Sequence, residues 1–172
     1  MKKLAMLGLT AILVLSLVIA GCTDSDDEEE EEELEPAPNF TLTSIDGDTF
    51  SLTEFDDKVV ILDFMYVACQ YCDDEMGELK KVFSNYDDND VVIITIDILP
   101  DEDNETELRQ FGEDYGDDWI YALDTDNVWN DYTEGQEGVP KIVIITKDGK
   151  ISYEDNGLVS YSTLSAEIDK LL

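Results

Sequence analysis

Two cysteines separated by two residues, Cys69-Gln70-Tyr71-Cys72, follow directly on the apolar run Val59-Val60-Ile61-Leu62-Asp63-Phe64-Met65 and directly precede Met76, Leu79, Val82 and Phe83 at helical spacing. A seven-residue run this apolar is what a strand covered on both faces requires, so the sheet it joins is a buried one. The C-x-x-C therefore sits at a strand-to-helix junction. There the first cysteine meets the unpaired N–H groups and the positive end of a helix, which favour a thiolate over a thiol. A thiolate is the nucleophile of disulfide exchange. The second cysteine, about one helical turn on, is placed to attack a mixed disulfide formed by the first and release its partner.

The remaining elements read off around that junction. Residues 40–52 alternate about Asp46-Gly47 and predict a β-hairpin. A first helix is expected over about 69–86, a second central strand over 91–96, and an acidic helix over 105–115 that keeps Leu108 and Phe111 on one side. A short strand at 119–123 and a short helix at 128–132 follow. Residues 141–146 and 150–153 flank the turn Asp148-Gly149 as a hairpin, and 160–172 form a closing helix. Strand, helix, strand, helix, hairpin and a last helix make an α/β fold, a central mixed β-sheet flanked by helices.

Two N-terminal segments do not join that core. Lys2 and Lys3 precede an apolar stretch from Leu4 to Ile19 that ends in Ile19-Ala20-Gly21-Cys22, the pattern of an export leader. It resembles the lipobox of bacterial and archaeal lipoproteins, which implies cleavage before Cys22 and lipid attachment to it. An uncleaved anchor is the alternative, marginal because the run is under about 20 residues. Either way the domain lies outside the cytoplasm, held to the cell membrane. Residues 22–36, with an unbroken acidic run from Asp26 to Glu33, cannot bury anything and predict a solvated, extended tether. The expected division is thus a leader at 1–21, an acidic tether at 22–36 and one domain at 37–172.

Of 172 residues 43 are Asp or Glu and 10 are Lys or Arg, for a net charge of −33. Most of that charge lies in the domain. It argues against nucleic acid and anionic lipid surfaces as partners, and it fits a saline exterior or a basic partner protein. With Cys22 assigned to lipid, the domain keeps only Cys69 and Cys72. A pair that closes so short a loop stabilises little, so it reads as a working dithiol and not as a staple. Asp73, Asp74 and Glu75 follow Cys72 directly, and three negative charges there disfavour a thiolate and hence a strongly oxidising couple.

The order of elements, the position of C-x-x-C and the Val139-Pro140 before the last hairpin together resemble the thioredoxin fold. More narrowly, Ala37-Pro38-Asn39-Phe40, the hairpin, Asp63 to Cys72, Glu75-Met76, Gly138-Val139-Pro140 and Thr146-Lys147-Asp148-Gly149-Lys150 resemble the TlpA/ResA-type membrane-anchored thiol–disulfide oxidoreductases. Ala68 stands where those proteins usually have tryptophan, and Gly77 where they have proline. The resemblance implies a thioredoxin-like fold with an N-terminal β-hairpin extension. It also implies Cys69 as attacking thiol, Cys72 as resolving thiol, and Asp63 as the buried carboxyl near the resolving thiol. Glu75 would be a carboxyl tuning thiol acidity, and Pro140 a cis-proline that turns Val139 toward the substrate, with Tyr71 a further contact. Partners would be protein disulfide or dithiol substrates and a membrane thiol carrier as electron donor, with apocytochrome c a candidate substrate; no cofactor or metal is needed, and a monomer suffices. A buried carboxyl has a raised pKa, so Asp63 could take the resolving thiol's proton near neutrality.

Three other functions compete with this one. A peroxiredoxin-like (AhpC/TSA) thiol peroxidase would need P-x-x-x-T/S-x-x-C and an arginine; the corresponding positions hold Leu62 and Tyr66, and the only arginine is Arg109. A Sco-like metal-binding module would need further soft or imidazole ligands, and the chain contains no histidine. A non-catalytic adaptor with inert cysteines would turn over no protein disulfide.

Overall fold

The computed structural model describes residues 33–115, 119–133 and 138–172. The leader, Cys22 and most of the tether lie outside the described residues. Strands β1 (Thr41–Thr43) and β2 (Thr49–Ser51) pair as an antiparallel hairpin, with Gly47 at φ 93° in its turn, a left-handed conformation that a side chain would strain. A 3-10 turn, Leu52–Phe55, leads to β3 (Val59–Met65). Then come α1 (Gln70–Asn85), β4 (Val91–Asp97), α2 (Glu105–Tyr115), β5 (Ile120–Leu123), α3 (Val128–Thr133), β6 (Lys141–Ile145), β7 (Ile151–Asn156) and α4 (Tyr161–Asp169). The sheet order is β5-β4-β3-β6-β7, with β3, β4 and β5 parallel and β6 and β7 antiparallel to their neighbours.

Every residue of β3 is buried because both of its faces are covered. Val59, Ile61 and Met65 pack with Met76, Leu79 and Val82 of α1, Leu108 and Phe111 of α2, and Leu164 and Ile168 of α4. Val60, Leu62 and Phe64 pack instead with Phe40, Leu42 and Phe50 of the hairpin region and with Val128 and Tyr132 of α3. Period-two alternation thus assigns Asp63, between Ile61 and Met65, to the α1 face.

One registered row crosses that face as Tyr121, Thr95, Asp63, Ile142 and Asp155. Tyr121 is fixed from two sides. Its ring stacks on Trp119 (centroids 5.4 Å apart, planes at 19°), and Gly112 of α2 backs onto it so closely that a Cβ there would lie 3.2 Å from the ring. Gly112→Ala gains helix propensity but overpacks a ring with no room to move, so a net loss of about 1 kcal/mol is expected. Urea unfolding measures it, and an unchanged or raised midpoint would refute the close fit.

The ends of the described region differ in detail from the sequence expectation. Glu35 and Pro36, assigned to the end of the tether, are already paired: the Glu35 carbonyl accepts the Ile151 N–H at 2.9 Å and Pro36 bridges Lys150. Strand β7 runs on to Asn156, although Glu154, Asp155 and Asn156 carry no apolar alternation, because an edge strand can keep its outer residues in water.

Candidate active site

Helices α2 and α4 start behind oxygen-bearing side chains, Asn104 and Ser160, whose side chains accept backbone N–H groups of the first turn. In α1 that capping position is held by Cys69. Its backbone is extended (φ −85°, ψ 108°) and its Sγ accepts the Cys72 N–H at 3.2 Å. The N-cap position, where an oxygen normally neutralises an orphan donor, thus presents a sulfur to the positive end of a 16-residue helix. Cys69 and Cys72 are joined as a disulfide. In this oxidised form the first cysteine is not the open one that the sequence suggests: Cys69 is 5% exposed and Cys72 1%. What does stand in solvent is Tyr71, 70% exposed, with Leu158 at 55%. Tyr71 therefore projects from the surface beside the sulfurs and does not cover α1.

Asp63 is buried on the α1 face of β3. Its Oδ2 accepts the Thr95 hydroxyl at 3.0 Å, while Oδ1 has no hydrogen-bond partner among the described residues. Burial pushes its carboxyl up to about 7, and the Thr95 hydrogen bond works against that rise. Thr95 in turn accepts the Trp119 indole N–H at 3.1 Å. Glu75, which a helix-face reading could leave in solvent, is completely buried. Its Oε2 accepts the Val159 N–H at 2.7 Å and its Oε1 has no described partner. Burial first, and then the negative charges of Asp63, Glu78 and Asp155, push this carboxyl up to about 8 against the Val159 hydrogen bond. The expectation of three charges in a row after Cys72 is thereby corrected: Glu75 is held neutral at pH 7, and Asp73 accepts the Tyr115 hydroxyl at 2.9 Å.

The opposite wall is β6 and the β7–α4 loop. The Val139-Pro140 peptide is cis, and the Pro140 carbonyl accepts the Gly157 N–H at 2.7 Å. Gly157 adjoins Leu158 and Val159, and Val159 holds Glu75, so Val139, Pro140, the loop and the first turns of α1 form one connected rim.

Four contributors to the site carry no strong mark in the sequence. Thr95 and Trp119 support Asp63. Asp97, buried at the end of β4, accepts the Leu99 N–H at 2.8 Å, and Asp103 accepts the Val67 N–H at 3.1 Å, which ties down the turn that delivers Cys69. Burial pushes Asp97 up to about 7, with Asp103 adding to the rise. A signal was present in the strand Val91-Val92-Ile93-Ile94-Thr95-Ile96-Asp97: two polar residues two apart in an otherwise apolar run, hence on one face.

The rival chemistries find little support here. Arg109, which a peroxidase would bring to its nucleophile, gives its guanidinium to Asp46 at 2.9 Å and to the Ile45 carbonyl. Leu62, at the position of the peroxidase proline, is core. Among the described residues no group of three or more His, Cys, Asp or Glu is placed to hold a metal ion.

Residues 34–154 match the model of the AhpC/TSA family. The chain belongs to the AhpC/TSA family. Within that family its relatives include ResA thiol–disulfide oxidoreductases: the protein from Bacillus thuringiensis subsp. konkukian is 27% identical over 135 residues, 78% of this chain and 76% of that one. The ResA of Halalkalibacterium halodurans is 31% identical over 120 residues, 68% of this chain and 64% of that one. Among solved structures, a thioredoxin-like protein from Aeropyrum pernix superposes with a TM-score of 0.65 at 26% identity, over 77% of this chain and 89% of that one. This AhpC/TSA member has the thioredoxin-like fold and is a thiol–disulfide oxidoreductase of ResA type, built on the Cys69–Cys72 pair.

Proposed function

We propose that this oxidoreductase is a membrane-tethered, extracytoplasmic reductant of disulfides in exported polypeptides, with apocytochrome c one candidate substrate and a membrane thiol carrier as its electron source. The observation that carries the reading is the pairing of an N-cap sulfur with two buried carboxyls, Asp63 and Glu75, each with one oxygen that has no hydrogen-bond partner among the described residues. Glu75 is held mainly neutral at pH 7, while Asp63 is poised there between its two protonation states.

In the reduced enzyme, the Cys69 thiolate attacks one sulfur of a substrate disulfide. The Cys69–substrate S–S bond forms, the substrate S–S bond breaks, and the second substrate sulfur leaves as a thiolate. Cys72 then gives its proton to an ionised carboxylate, Asp63 being the group on the sheet face beneath α1, and the Cys72 thiolate attacks the Cys69 sulfur. The mixed disulfide breaks, the Cys69–Cys72 bond forms, and the substrate has gained two electrons. A thiolate beside carboxylates that are costly to ionise is itself poorly stabilised, which disfavours the dithiol and makes the couple reducing. Val139, Pro140 and Tyr71 line the approach for an extended substrate segment. The anchor is assigned to the leader and Cys22, by the lipobox resemblance.

The test has two parts, insulin reduction in the presence of dithiothreitol and the reduction potential of the Cys69–Cys72 couple at high and low salt. Turnover with a potential near about −270 mV, thioredoxin's value, is expected, whereas a value near about −120 mV, that of DsbA, would overturn the direction. For the anchor, intact cells treated with a signal-peptidase inhibitor should accumulate the uncleaved precursor.

A further inference from the structure

Among the described residues Asp63 has a hydrogen-bond partner on only one of its two oxygens, and that partner is itself held in place. The Trp119 indole N–H can only donate, so its hydrogen bond to Thr95 Oγ1 occupies a hydroxyl lone pair. The hydroxyl has a single hydrogen, and among the described groups its acceptor is Asp63 Oδ2 at 3.0 Å. Trp119 is kept from turning away by Tyr121 on one ring face and by Phe83, whose centroid lies 5.5 Å from it. Thr95 and Trp119 are both buried. The donors therefore point one way along the row: indole to hydroxyl, hydroxyl to carboxyl.

We propose that Thr95 and Trp119 are positioning residues for disulfide exchange: they lock a hydroxyl donor onto Asp63 Oδ2, which leaves Oδ1 as the oxygen that accepts the resolving thiol's proton. The proposal deepens the reading above and rests on Asp63 acting as that base. A donor on Oδ2 stabilises the carboxylate and not the neutral acid, so it holds the proton affinity of this buried group low enough to be used near neutrality. Without it, burial alone would keep Asp63 protonated and idle. The titratable and charged groups around it are Cys72 and Glu75 from α1, Asp97 further along β4, Tyr121 from β5 and Asp155 from β7. The negative charge of Asp63 raises the proton affinity of Glu75, so the titration of Glu75 depends on the state of Asp63.

The test follows the Asp63 carboxyl by carbon-13 NMR in the oxidised protein, where no turnover is needed, and the rate at which the mixed disulfide resolves against pH in the reduced protein. Wild type should titrate near pH 7. Thr95→Val, which keeps the shape and loses the hydroxyl, should raise the midpoint by about one unit or more, a tenfold gain in proton affinity, and move the pH profile of resolution by the same amount. Thr95→Ser should restore both. Trp119→Phe should shift them in the same direction by less, because the hydroxyl is then free to rotate. A folded Thr95→Val with an unmoved midpoint overturns the proposal, as does a Thr95→Ser that shifts as far as valine, since packing would then be the cause. Should Thr95→Val not fold, Trp119→Phe decides: no shift refutes the relay. Midpoints that move while resolution does not respond to Asp63 would leave the hydrogen-bond chain standing and sink the role of Asp63 as base.

Discussion

Cys69→Ser will abolish turnover of protein disulfides, by on the order of 10³-fold or more, whereas Cys72→Ser will keep the first step and stop at the mixed disulfide. The asymmetry follows from the geometry of α1. Cys69 occupies the N-cap, where its sulfur already accepts the Cys72 N–H, so a charge on it is met by that donor and by the helix terminus. Cys72 lies inside the first turn and is buried against the sheet face that carries Asp63, with Glu75 one turn further along the helix. Neither substitution should unfold the domain, because the lost cross-link closes so short a loop that chain entropy contributes only about 2 kcal/mol. Mass spectrometry of each variant after exposure to a peptide disulfide reads the result. Cys72→Ser should carry one stoichiometric, dithiothreitol-labile adduct and Cys69→Ser none. An adduct on Cys69→Ser alone would reverse the two roles, and none on either would remove dithiol exchange as the activity.

How much of the fold and site is legible in the amino-acid sequence depends on how local each determinant is. Strands β3 and β4 and helix α1 announce themselves because a buried strand must be apolar throughout and a buried helix face must recur every three to four residues. The same local logic exposes Asp63, a charge inside an apolar run, and Cys69, a sulfur at a helix start. Glu75 behaves otherwise. Its position in α1 says that it shares a face with Cys72, but its burial is decided by the loop at Val159, 84 residues away, which closes over it and donates to it. Glu75 therefore drops out of the set of charges that its neighbours Asp73 and Asp74 suggest for it. Trp119 and Thr95 illustrate the same limit across the sheet. Each is ordinary in its own segment, and their relation to Asp63 exists only once β3, β4 and β5 are in register. The pairing of Glu35 and Pro36 with the start of β7 is hidden by composition, since an acidic run ending in prolines gives no pattern of its own.

The two buried carboxyls should also be visible as a cost in stability. In the oxidised protein Asp63 binds its proton up to about pH 7, against an ordinary value of 3.8, and Glu75 up to about pH 8 against 4.5. The folded state thus holds protons that the unfolded chain has released. Stability contributed by the neutral carboxyls is complete below about pH 4 and is lost progressively as the pH rises through 7 to 8. Asp63→Asn removes that loss. The amide has the shape of the neutral acid and its oxygen can still take the Thr95 hydrogen bond, so at pH 5 the variant should match the wild type within about 1 kcal/mol. At pH 9 it should exceed it by on the order of 3 kcal/mol. The wild-type charge on Asp63 also raises Glu75, so in Asp63→Asn the Glu75 midpoint should fall. Glu75→Gln should likewise gain stability at high pH, and the two gains should not add, because the charge of Asp63 is part of what raises Glu75. Denaturant melts of oxidised wild type and variants from pH 4 to 9 measure this directly, and a stability profile for Asp63→Asn that runs parallel to wild type would refute it. Resolution of the mixed disulfide is expected to slow in the same variant that gains stability. That opposition separates a retained functional group from an accident of packing: a buried acid whose removal stabilises the fold and slows the chemistry is present for the chemistry.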